Sequence, residues 1–112
     1  MAASEIRKQT LKQLREAFLK MLSPEWDLAL EGKPQRVVTE ASRQLLRVHR
    51  TRLRLGNAEL RDIRDKLLEN EEDLREGRRQ VAQVLRRLQR IESVLNAVSS
   101  FLGVVARVVP LL

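Results

Sequence analysis

The chain has 112 residues, no cysteine, 43% hydrophobic but only 3% aromatic residues, and a formal charge of +7. This bounds it to one domain with a modest core, excludes disulfides and thiolate metal sites, and favours an acidic partner such as nucleic acid, anionic lipid or an acidic protein surface. Leu, Val, Arg and Glu dominate while glycines number four and prolines three, a make-up of long amphipathic helices.

The N-terminal stretch is polar and charged, unlike the apolar run of a signal peptide. The expectation is a protein kept inside the cell, cytoplasmic or built into an assembled particle. A first helix is predicted from about Ser4 to Leu22, because Ile6, Leu11, Leu14, Phe18, Met21 and Leu22 recur at helical spacing. Ser23 then suits an N-cap, Pro24 the first helical position and Glu25 the positive end of the dipole. That short helix ends at Gly32, where Gly-Lys-Pro reads as a turn.

A second long helix is predicted from Pro34 to Leu55, with Gly56 as a left-handed C-cap and Asn57 capping the next helix. From there to Pro110 no proline occurs, so an unbroken third helix would be about 80 Å long. Charge is blocked: residues 33–54 hold seven bases and one acid, and residues 59–76 hold eight acids and four bases. Folding back at Gly56–Asn57 would set a basic rod beside an acidic one.

The third segment carries a heptad. Leu60, Leu67, Leu74, Val81, Leu88, Leu95, Leu102 and Val109 occupy a; Ile63, Asn70, Gly77, Val84, Ile91, Val98, Val105 and Leu112 occupy d. Apolar heptads sustained this long argue for a coiled coil. Leucine at a with Ile or Val at d leans toward three or more strands. Asn70 resembles a polar register pin, and Gly77 marks a bend or the tip of a hairpin, although unbroken register favours a continuous helix. The predicted fold is therefore an all-α helical bundle with a long C-terminal coiled-coil helix: residues 1–56 form the N-terminal helical region and 57–112 the oligomerisation helix with its apolar tail. The apolar heptad positions are the predicted interface of a homo-oligomer of three or more chains. The alternative is that they pack onto the first two helices of the same chain.

The tail from Val94 to Leu112 is barely long enough to span a bilayer, and Arg107 near its middle would cost about 2.5–3.5 kcal/mol on insertion scales. Arg86, Arg87 and Arg90 just before it suit the positive-inside rule, and an interfacial helix with Arg107 snorkelling is a further membrane option. Against membrane, the heptad runs through the tail in phase and sets Arg107 at the outermost f position. Assembly through the tail is the preferred reading, so truncation after Arg90 is expected to dissolve the oligomer and leave the first two long helices helical.

Arg36, Arg43, Arg47, Arg50 and Arg54 share one strip of the second helix, opposite Val37, Val38, Ala41, Leu45 and Val48. A row of this kind tracks phosphates with steep salt dependence, or faces an acidic protein surface or solvent; no aromatics interleave for base stacking. His49 is the one histidine and has no evident acidic partner in sequence for triad chemistry. No cofactor, catalytic or metal site is expected. The reading is a non-enzymatic, self-associating structural or adaptor component of a larger assembly, of bacterial or phage type. Its rivals are a membrane-active protein using residues 94–112 and a nucleic-acid-binding assembly factor using the arginine strip.

Overall fold

The computed structural model describes residues 1–110, which form α1 (Ala3–Lys20), α2 (Pro24–Leu30), α3 (Gln35–Asn57), α4 (Leu60–Glu69), α5 (Glu71–Val84) and α6 (Ile91–Val105), with no strand among the described residues. Helices α1, α3, α6 and α5 pack in that cyclic order as a four-helix bundle. Specific contacts fix the directions. Phe18 stacks on His49 with centroids 5.0 Å apart, and Arg7 Nη1 donates to the Ala58 carbonyl at 2.7 Å, so α1 and α3 are antiparallel. Arg107 meets Asp73 and Phe101 meets Gly77, so α5 and α6 are antiparallel too. Gln44 donates to the Leu95 carbonyl at 3.0 Å and Arg54 to that of Pro110 at 3.4 Å, which sets α6 parallel to α3. The links α1–α2–α3 and α5–α6 therefore lie at one end of the bundle, and α4 crosses the other end, packed on α1.

Local chemistry explains the first half. Ser23 Oγ accepts from the Trp26 amide at 3.2 Å with Pro24 in the first turn, as its sequence predicts. Trp26, 2% exposed, joins the core from this short helix. Gly32 has φ +78°, the one positive value among the described residues, and provides the turn before α3.

The predicted stop at Gly56 is corrected. α3 runs through Gly56 to Asn57, and neither residue acts as the expected cap. The helix closes instead with Ala58 in an extended conformation, its amide donating to the Arg54 carbonyl at 3.0 Å. Arg7 from α1 donates to the Ala58 carbonyl, and no left-handed residue is used. The expected pairing of basic and acidic rods is corrected as well, because α4 packs on α1 and α5 while α3 lies between α1 and α6.

The predicted 80 Å helix is divided in three, in a molecule 46 Å along its longest axis. The first break is at Asn70 (φ −104°, ψ 13°), whose Nδ2 donates to the Lys66 carbonyl at 2.8 Å. Asparagine that bonds its own backbone competes with the helix, so Asn70 is a helix terminator and not a buried register pin. The second break spans residues 85–90, where Arg87 N donates to the Val84 carbonyl at 3.0 Å in a tightened last turn. Leu85 and Leu88 are buried there and tie the turn to the core. Gly77 is neither bend nor tip. It lies inside α5 where a Cβ would come 2.6 Å from Phe101 Cδ1, and its missing side chain lets α6 approach.

Candidate interaction surface

Of the proposed interface residues, Ile63, Leu67, Leu74, Val81, Leu88, Ile91, Leu95, Val98, Leu102, Val105 and Val109 are buried within the single chain, with Leu60 and Val84 half-buried. Leu112 lies outside the described residues. The heptad thus forms the core of this bundle, the intramolecular alternative, because turns at Asn70 and at 85–90 fold its stripe back against α1 and α3. The apolar tail shares that fate: Val98, Phe101, Leu102 and Val105 are each 1% exposed or less. Among the described residues no helix is long and apolar enough to cross a membrane.

Arg107 is exposed, as its f position predicts, and its Nη1 lies 2.7 Å from Asp73 Oδ2. Exposed pairs contribute about 0.2–1 kcal/mol. Arg107→Leu is therefore expected to lower the stability measured by urea titration by no more than about 1 kcal/mol. A larger loss would show the pair to be more than a surface contact.

The arginine strip stands on the outside. Arg36, Arg43, Arg47 and Arg50 are exposed, and Arg54 is half-buried against the end of α6. The strip's ion pairing among the described residues is one long contact, Arg43 to Glu40 at 3.9 Å. Arg52, off the strip, lies 5.0 Å over the Phe18 ring, and His49 is committed to the same stack. Two functional candidates escaped the sequence reading: Leu46 and Leu53, 49% and 48% exposed, run along the strip's edge. A periodicity was available to find them. Arg43, Leu46 and Arg47 recur seven residues on as Arg50, Leu53 and Arg54.

Opposite charge gathers elsewhere on the molecule. Asp62, Asp65, Glu69, Glu72 and Glu76 are exposed along α4 and the start of α5, with Leu68 among them at 39% exposure. Glu72 and Glu76 pair locally with Arg75 and Arg79 at 2.6 and 2.7 Å, and the Arg79 hydrogen bond holds the Glu76 carboxyl below its usual range. Between α1 and α5, Arg78 donates to Gln9; burial, with Arg75 close by, pulls its guanidinium below the ordinary value. Among the described residues no cluster of three or more His, Asp or Glu is placed to hold a metal ion. No known protein family, curated protein or solved structure matches this chain.

Proposed function

We propose that the protein is a non-enzymatic, self-associating helical component of a larger assembly, and that copies join by opening the α5–α6 hairpin into one long heptad helix. The observation that carries this reading is the phase of the heptad. Leu74, Val81, Leu88, Leu95 and Leu102 keep their seven-residue spacing straight through the turn at 85–90. An ordinary hairpin imposes no such phase. The turn, Leu-Arg-Arg-Leu-Gln-Arg, also lacks Gly, Pro, Asn and Asp and consists of good helix formers. In the opened state α6 packs in another copy and remakes in trans the contacts it makes in cis, a low-cost route to association. Leucine at a with Ile or Val at d favours three or more chains.

Magnitudes say when this happens. Propagating a helix through six residues gains at most about 1–2 kcal/mol, against about 4–15 kcal/mol for association at the 1 M standard state. On these terms alone the closed monomer prevails. The exchanged form gains ground only at high concentration and where the opened helices also touch one another along residues 85–90, a contact the monomer lacks. Gln89→Pro is the test, since proline inside the opened helix costs about 3 kcal/mol while Gln89 is exposed in the closed turn. Light scattering without detergent and in high salt, after refolding at high concentration, is expected to give oligomers for the natural chain and for Gln89→Ala, and monomer for Gln89→Pro. A natural chain that refolds only to monomer, or oligomers that survive Gln89→Pro, would refute the hinge.

A further inference from the structure

We infer that the arginine–leucine ridge of α3 docks on the acidic face of α4 and the start of α5 in a second copy of this chain. The inference rests on the reading of the protein as self-associating, and it uses a surface separate from the heptad. The ridge repeats Arg, Leu and Arg at positions 43, 46, 47 and again at 50, 53, 54; the acidic face sets Asp65, Leu68 and Glu69 at the same spacing, then Glu72 and Glu76. Residues three and four apart are neighbours on one helix face. Laid together, Leu46 meets Leu68 with arginines flanked by carboxylates, while Leu53 meets the aliphatic stem of Arg75, whose guanidinium is paired with Glu72 at 2.6 Å.

Within one chain the surfaces never meet, because α3 is held between α1 and α6 and α4 lies on α1 and α5. Leu46 and Leu53 are about half exposed, and neither Arg47 nor Arg50 has an ion-pair partner among the described residues. On the acidic face Asp65 is likewise unpaired, and Glu69 reaches only Lys66, at 3.4 Å. These local partners are exposed and exchange readily. Leucines at heptad spacing have no task on a phosphate backbone, and two of them set among four arginines make too narrow an apolar strip for a bilayer. The same chain, however, presents this spacing with the sign reversed at its four charged positions, Asp65, Glu69, Glu72 and Glu76, with Leu68 at the first leucine position and Arg75 at the second. A ridge on one copy meeting a different surface on the next is a heterologous contact, which builds rings or filaments.

The experiment uses two charge reversals in the full chain: Arg47→Glu with Arg50→Glu, and Asp65→Lys with Glu69→Lys. All four positions are exposed, and circular dichroism checks that each variant folds. Sedimentation velocity at low salt is expected to show the natural chain associating, each double variant losing that association at least tenfold, and an equimolar mixture of the two regaining it. High salt is expected to weaken the natural contact at least tenfold. Folded variants that associate like the natural chain, or a mixture that stays apart, would overturn the proposal. So would ridge reversal that abolishes binding to duplex DNA or to phosphatidylserine vesicles and leaves self-association intact. Gln89→Pro, run alongside, separates the two readings: dissociation by charge reversal alone keeps the ridge and discards the hinge, and the converse discards the ridge.

Discussion

A chain shortened to end at Arg90 is expected to lose cooperative unfolding altogether. α6 buries Ile91, Val94, Leu95, Val98, Phe101, Leu102 and Val105. Full burial of such side chains contributes about 1.5–3 kcal/mol each, so the seven together match or exceed the whole net stability of a domain, about 5–15 kcal/mol. Removal also strips cover from the faces of α3 and α5 that pack on α6. Isolated helices of this length are marginal in water, so the remainder cannot hold its structure by propensity. This reverses the expectation drawn from the sequence, that the first two long helices survive the cut. Far-UV circular dichroism on heating is the measurement, and a sharp transition in the shortened chain would mean that the core lies elsewhere.

The second large effect is expected at the crossing of α5 and α6. Phe101 is 1% exposed, and Phe101→Ala is expected to cost about 3–5 kcal/mol in urea unfolding. Its partner makes the site diagnostic. In an ordinary helix Gly77→Ala would gain about 1 kcal/mol, but here the new methyl would sit 2.6 Å from Phe101 Cδ1. Overpacking of this kind costs about 1–3 kcal/mol, so Gly77→Ala is expected to be neutral to destabilising by up to about 2 kcal/mol. Combined with Phe101→Leu, which clears the ring, the alanine should recover its helical advantage. A Gly77→Ala chain more stable than its parent by a full helix-propensity gain would show that the helices do not approach closely there.

How far the sequence discloses this fold depends on whether a feature is decided locally. Ser23 and Pro24 announce the start of α2 and Gly32 its end, because caps and positive φ are matters of a few neighbouring atoms. The heptad likewise identifies the buried residues, since the demand to leave water is written into each side chain. It does not say whose helix answers the demand, and the same stripe serves contacts between copies or within one. The turn at 85–90 is illegible for a related reason: Leu85 and Leu88 are pinned by packing on other helices, while their own propensities favour continuing. Gly56 misled because α3 runs past it and closes on an extended Ala58, whose amide returns to Arg54 and whose carbonyl is held by Arg7, 51 residues away. The arginine strip was readable from spacing alone, but the exposure of Leu46 and Leu53 required knowing which side of α3 the bundle covers.

Trp26 has a practical consequence. It is the sole indole in a chain without tyrosine, so excitation near the red edge of protein absorbance reads one location. That location is the end of the bundle where α5 turns into α6, as Ser23 at the cap of α2 lines one groove with Leu85 and Arg86. The proposed opening of the hairpin there is expected to change the polarity around the ring and shift its emission. Trp26 emission thus offers an optical test of the proposed hinge, usable on the unlabelled chain at concentrations too low for scattering.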